Sequence, residues 1–264
     1  MPVATSLSRW LLIHVDARLL FVGIVVITMA LSVLAVAGAR RRWPHFADGV
    51  NNTVGSVLMA MIGTVYAVVV GFVVATLWTT FERADETTHQ EAGALLDVYR
   101  QNTALSFRVA SDTQEAVRDY ARLVIDEEWP AMADGGSSRR AERAALRIFD
   151  VFREYEPVGA AQGTLLSESN ARYNDFFEAR RSRLTLAAAG LPGVFWAAIL
   201  LGAIVTIGFT VFFGQPSAIA QMAMTGALAA SVSLMLALIL LLNHPFAGEL
   251  SVSPQPFQSV LDAG

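Results

Sequence analysis

Three stretches of this chain, Leu19 to Ala39, Gly49 to Phe81 and Leu184 to Leu242, contain no Asp, Glu, Lys or Arg. A helix needs about 20 apolar residues to cross roughly 30 Å of hydrocarbon. The first two stretches can each supply one crossing, and the third can supply two. Between the second and third, Glu82 to Arg183 holds 33 of the 42 charged residues. Charge kept out of long blocks and gathered into one segment predicts an all-α integral membrane protein. The expected architecture is four transmembrane helices with a helical polar insert between the second and third. It divides into residues 1–81 (N-terminal segment and crossings one and two), 82–183 (charged helical bundle) and 184–264 (crossings three and four with a short tail).

The first crossing is Leu19–Ala39. The second runs from about Val54 to Thr79, long enough to require tilt or extension beyond the lipid. The third starts near Pro192, with Trp196 suited to the interfacial aromatic belt, and ends at Phe213. Gly214-Gln215-Pro216 breaks the helix. The fourth runs from about Ser217 to Leu242, where His244-Pro245 stops it. A signal peptide is the rival reading of the first block, with Arg9 and Arg18 ahead of it and Ala35-Val36-Ala37 resembling a cleavage site. The length of the block and Arg40-Arg41-Arg42 directly after it argue for a retained helix. An even number of crossings places both termini on the side of the insert. Arginine counting does not fix which side that is: Arg9, Arg18, Arg83, Arg180, Arg181 and Arg183 near the membrane on one face oppose Arg40 to Arg42 on the other, but long loops count little.

The insert reads as helical throughout. Phe81, Ala84, Thr88, Ala92, Leu95, Tyr99 and Asn102 keep helical spacing, so the second crossing should continue as one long helix. Asp112 and Glu115 form a capping box that opens a helix with Val117, Tyr120, Ala121, Val124 and Ile125 inward. Trp129-Pro130 predicts its stop. A third helix carries Ala141, Ala144, Ala145, Ile148, Phe149, Phe152 and Tyr155 on one stripe. A fourth runs from about Gln162 through Leu166, Ser169, Tyr173, Phe176 and Phe177 to Arg180. A helical bundle is the simplest arrangement.

Several function classes are disfavoured. The insert has 14 Arg against 19 acids, so no basic face invites nucleic acid. All basic residues are arginine, which points to a GC-rich bacterial genome. Cysteine is absent, which removes disulfides and thiolate chemistry. No H-E-x-x-H, G-x-S-x-G or P-loop occurs, and the protein is not expected to be an enzyme. His14, His45, His89 and His244 show no paired metal-ligand spacing, so no metal or cofactor is expected. The acidic run Asp126-Glu127-Glu128 opposes a helix dipole and calls for an arginine, with Arg122 the candidate. A crossing free of carboxylates argues against ion-coupled transport.

The second crossing carries the most structured pattern. Gly63, Ala67, Gly71 and Ala75 recur every four residues, a stripe that lets helices approach closely. Ile62, Tyr66, Val69, Val73 and Thr76 form another face that could line a pore and gate it by dewetting. Asn51 and Asn52 precede the helix, at the mouth of such a pore. Ala198/Gly202 and Gly226/Ala230 are further packing marks.

Taken together, these residues resemble a known family. The matches are Gly71-Phe72-Val73-Val74, Glu91-Ala92 with Leu95 and Tyr99-Arg100, Tyr120 with Glu128-Trp129-Pro130, Leu191-Pro192 with Trp196, Phe213-Gly214, and Pro245-Phe246-Ala247-Gly248 with Pro254 and Phe257. This pattern resembles the bestrophin-like family of bacterial membrane proteins over residues 20 to 258. The resemblance implies an oligomeric anion channel, pentameric as in bestrophins, with a pore built around the second crossing. It further implies a bacterial inner-membrane location, with termini and insert cytoplasmic. Lipid, further copies of the chain and a small inorganic ion are the implied partners. The acidic calcium clasp of animal bestrophins has no counterpart here, where only Glu249 and Asp262 follow the last crossing. The competing reading is a non-conducting membrane scaffold or signalling protein whose insert binds a partner.

Overall fold

A computed structural model describes residues 3–43, 52–101, 107–212, 215 and 217–263. Every regular element among them is helical: α1 (Val3–His14), α2 (Ala17–Arg42), α3 (Asn52–Gln101), α4 (Phe107–Leu123), a π-helical turn (Val124–Glu128), α5 (Trp129–Ala133), α6 (Arg139–Arg153), α7 (Ala160–Ala188), α8 (Gly193–Phe209) with a 3-10 turn (Thr210–Phe212), α9 (Ala218–Leu242) and α10 (Gln255–Asp262). Three of these, α2, the 55–100 stretch of α3, and α9, are long and apolar enough to cross a membrane. The number rises to four if α7 and α8 are taken together as one broken span. The second crossing does continue as a single helix, α3, for 50 residues.

Two compact units result. The first comprises residues 1–79, 190–243 and 248–250, and the second 80–189, 244–247 and 251–264. In the first, α2 packs along α9. Gly226 of α9 faces Met29 and Val33 of α2, where an added Cβ would make ordinary contacts at 3.4 Å and 3.6 Å. Asp16 caps α2 by accepting from the Arg18 and Leu19 amides. At the other end Arg40 to Arg42 occupy the last turn, where cations complement the helix dipole. Arg40 donates to Gln215 O at 2.9 Å and to Gln221 Oε1 at 2.6 Å, fixing that end of α2 to the approach to α9. Ser217 caps α9, and Asn243 Oδ1 accepts from the Leu191 amide at 2.7 Å, holding the turn that leads into α8. α1 was not expected from the sequence; its Leu12 joins Leu20 and Leu240 in a small apolar cluster.

The second unit has a conventional core. Leu95, Val98, Val117, Tyr120, Val124, Met132, Ile148, Phe176 and Phe257 lie within one cluster and are almost fully buried. Three sequence expectations need correction here. α4 opens at Phe107, so Asp112 lies inside the helix and does not cap it. The expected inward stripe of α6 holds for Ala141, Ala144, Ala145 and Ile148, but Phe149 is exposed. α7 runs on past Arg180 to Ala188, because nothing between them breaks a helix. The C-terminal segment is also structured: α10 contributes Phe257 and Val260 to this core.

Candidate functional site

Helical spacing divides the apolar part of α3 into two faces of different fate. Val70, Val73 and Leu77 are buried, with Tyr66 half-buried beside them. Tyr66 lies over Gly202 of α8, where an added Cβ would be 2.6 Å from Tyr66 Cδ2. The absence of a side chain at residue 202 is therefore what admits the ring. The rest of the surface is open. Val65, Val68, Val69 and Phe72 are exposed, Phe72 by 72%. Only 11% of this apolar stretch is buried within the chain, against 50% of that of α9.

The proposed pore face therefore does not act as one surface within the chain. Tyr66 and Val73 turn toward their own chain, Ile62 is intermediate, and Val69 and Thr76 are exposed. Asn51 and the side chain of Asn52 lie outside the described residues, as do His45, Phe213 and Gly214. The small stripe also meets no other helix among the described residues. A Cβ at Gly63 or Gly71 would find nothing within 4 Å, and Ala67 and Ala75 are exposed.

The second unit holds a buried ion cluster built from residues scattered through the sequence. Arg183 on α7 donates to Glu91 of α3 through Nε (2.6 Å) and Nη2 (3.0 Å), and to Glu128 Oε2 through Nη2 (2.8 Å). Arg180 donates to the other Glu128 oxygen at 2.5 Å. The Tyr120 hydroxyl donates to Glu91 Oε1. Arg183 stacks over Trp129 and Phe257, with its guanidinium carbon 5.3 Å and 5.6 Å from the ring centroids. Two carboxylates and two guanidiniums leave the cluster neutral, the condition under which buried charge is tolerated. Burial disfavours the Arg183 cation more than any other single influence, but Glu91, Tyr120 and Glu128 together outweigh it, and the guanidinium holds its proton more firmly than usual. Burial, reinforced by the charge on Glu91, pushes the Tyr120 phenol well above its ordinary range.

Local backbone geometry brings Glu128 inward. Pro130 has no N–H to offer the carbonyl four residues back, and the preceding segment widens into the π-helical turn, in which the Trp129 amide bonds Val124 O. Pro130 is itself exposed; its effect lies in the backbone. Trp129 Nε1 donates to Val252 O at 3.1 Å, and its ring meets Phe246 edge-on at 5.4 Å. Pro245 O accepts from the Val252 amide at 2.8 Å. Gly248 has φ +85°, and a Cβ there would stand 3.2 Å from Leu12 O. The positive φ favours glycine at that position, and a side chain there would also press on the Leu12 carbonyl.

The expected partner of the acidic run is replaced. Arg122 pairs with Asp119 at 3.7 Å, Glu127 is met by Arg140 and Ser138, and Glu128 by Arg180 and Arg183. These last two arginines, counted from the sequence as charges at the membrane edge, are core residues. Their signal was present in the spacing: Tyr173, Phe176, Arg180, Arg183 and Ala187 continue one buried stripe of α7. No group of three or more acidic or histidine side chains among the described residues could hold a metal.

The model of the bestrophin-like domain matches residues 26–257 of this chain. The chain belongs to the bestrophin-like family. No curated protein sequence matches it. Its fold is shared with a crystal structure of a membrane protein (TM-score 0.69, 12% identity, 90% of this chain and 97% of that one). Two crystal structures of a bacterial bestrophin homologue from Klebsiella pneumoniae, each with one substitution, are also similar. One has a TM-score of 0.68 at 12% identity and covers 90% of this chain and 98% of the other. The second has a TM-score of 0.65 at 14% identity, covering 91% and 97%. This bestrophin-like protein thus has a bestrophin-like helical fold and apolar helices suited to a membrane. Glu91, Tyr120, Glu128 and Trp129, residues on which the family resemblance was drawn, converge on the buried ion cluster.

Proposed function

We propose that several copies of this chain, five by family resemblance, assemble around an axis with α3 innermost and form a channel for small anions. Its place would be the bacterial inner membrane, with the termini and polar unit cytoplasmic. The observation that carries this reading is the open face of α3. A helix with 11% of its apolar stretch buried within its own chain must find lipid or further protein, and bestrophin-like proteins are known as anion channels. Tyr66, Val70, Val73 and Leu77 mark the side turned to the same subunit. At about 100° per residue the far side carries Thr64, Val68 and Phe72. These three form the constriction in our reading. Ala75 lies among them on the same side, Val69 and Thr76 flank them on one edge, and Gly63, Ala67 and Gly71 on the other, where small residues admit a neighbouring helix. Apolar rings of this kind block ions by excluding water.

Chloride efflux from liposomes containing the purified protein tests this. Phe72→Ala should raise efflux several-fold, on the order of 1 kcal/mol off the barrier, and Val73→Ala should change it less. Gly71→Leu should leave the chain folded and yield a smaller complex in detergent. A wild-type protein that is tight to chloride would leave the non-conducting scaffold as the surviving account.

A further inference from the structure

A cleft of about 550 Å³ opens between α4 and α6, lined by Arg122, Arg140, Arg143 and Arg147 with Asp119 as its single lining carboxylate. Three of the arginines recur at three- and four-residue spacing on α6, beside the buried Ala141, Ala144 and Ile148 stripe. Like charges so placed disfavour a helix, so their alignment is not explained by the stability of α6. Their neutralisation is incomplete. Asp119 is shared between Arg122 at 3.7 Å and Arg147 at 3.6 Å. Arg140 is met by Glu127. Arg143 donates through Nε to the Arg139 carbonyl at 3.3 Å and has no carboxylate partner among the described residues. The cleft therefore concentrates positive charge in a chain whose net charge is −4.

We propose that this cleft binds a small phosphoryl anion: inorganic phosphate, pyrophosphate or the phosphate of a simple ester. The guanidinium fork matches two phosphoryl oxygens at once, and four such forks around one space suit a ligand with more than one negative charge. The volume lies within the ordinary range of small-molecule sites. No aromatic ring lines it; Leu123 and Ala144 are its apolar lining residues. The recognised part is therefore the phosphoryl group and not a stacked base. Arg143 takes the ligand first, and Arg147 and Arg122 turn to it from Asp119. This site is independent of the channel reading, since its residues lie in the polar unit and need no assembly.

Calorimetric titration of pyrophosphate into the detergent-solubilised full chain tests it. Saturable binding is expected, weaker with added salt because the groups are exposed. Arg143→Gln should weaken it about tenfold, and Arg143→Gln with Arg147→Gln should abolish it, whereas Arg172→Gln on α7 should leave it unchanged. Arg143 and Arg147 are exposed and Arg172 is half-buried, and unaltered melting temperatures would show that folding is intact. A parallel arm compares nanodiscs with and without phosphatidic acid: binding there that is lost in the double variant assigns the same cleft to a lipid headgroup. Absence of saturable binding in both arms, or equal binding by the wild type and the double variant, overturns the proposal. Chloride efflux is read separately, so failure of one reading is distinguishable from failure of the other.

Discussion

The two units of this chain solve the burial problem in opposite ways. The apolar unit leaves its large side chains outside: Leu19, Ile27, Leu31, Leu34, Phe72 and Ile204 are each more than 60% exposed. Lipid makes that arrangement stable, since hydrocarbon offers no penalty to an exposed leucine and helices then associate by close packing. The polar unit buries its apolar residues around Tyr120 and Phe176 in the manner of a water-soluble domain. It also buries four ionised groups. An arginine can enter this core because two carboxylates and a phenol are already placed to receive it, whereas the described apolar crossings offer no such set.

Removing one member of the ion cluster should therefore be the most damaging single change in the molecule. Arg183→Met keeps side-chain bulk but leaves Glu91 with the Tyr120 hydroxyl alone and Glu128 with Arg180 alone. Stranding buried charge costs about 3–5 kcal/mol. Chemical denaturation of the detergent-solubilised protein should show that loss, with early proteolysis between residues 82 and 183. A change below about 1 kcal/mol would mean that the cluster is not desolvated as described.

The apolar unit should respond to shape instead. Gly202→Ala places a methyl group against the Tyr66 ring, and the displacement should cost about 1–3 kcal/mol. Gly71→Ala meets nothing within 4 Å and should leave the monomer at least as stable, since alanine is the better helix former. Replacing Tyr66 by Ala alongside Gly202→Ala should remove the clash. If the two glycine variants behave alike in thermal unfolding, the α3–α8 contact is not what positions α3.

This contrast also explains what could be read from the sequence. The long apolar helices were legible because hydrocarbon excludes charge over about 20 residues regardless of tertiary detail. The inward stripe that runs from Val117 of α4 to Val124 of the π-helical turn was legible because a water-facing domain must hide it at helical period. Neither rule reaches the ion cluster. Arg180 and Arg183 looked like interfacial cations because burial of arginine depends on partners 52 to 92 residues away. Orientation of the two faces of α3 was not legible either. Both are apolar, and only the fit of Tyr66 over Gly202 decides which one turns inward. α1 and α10 were missed because each is short and takes its stability from residues far along the chain.

Alkaline pH should act on the polar unit through its buried phenols. Burial, followed by the charge of Asp150, raises Tyr173 to about 12, with Arg180 opposing. Its hydroxyl donates to Ala145 O at 3.3 Å, a bond that only the protonated form can make. The folded state thus binds this proton more tightly than the unfolded state, whose phenol titrates near 10. The resulting stability is complete below pH 10 and declines as pH rises toward 12. Tyr173→Phe should flatten that part of the unfolding profile, and an unchanged slope would assign the decline to other groups, Tyr120 first.

The smallest effect belongs to an ion pair on the same helix as the largest. Arg172 approaches Asp175 to 3.6 Å with side-chain exposures of 44% and 60%, while Arg183, three turns further along α7, lies 2.6 Å from Glu91 with both side chains fully buried. In water the Arg172 pair gains little over its solvated ions, and ordering two side chains offsets that gain. Its removal by Arg172→Ala should shift stability by less than about 0.5 kcal/mol, and the shift should vanish in high salt. The Arg183 cluster, shielded from ions, should keep most of its effect at the same ionic strength. A salt titration of the two variants side by side therefore separates solvation from mere proximity. Equal salt sensitivity would show that water reaches Glu91 and that the distinction between these two arginines is one of distance only.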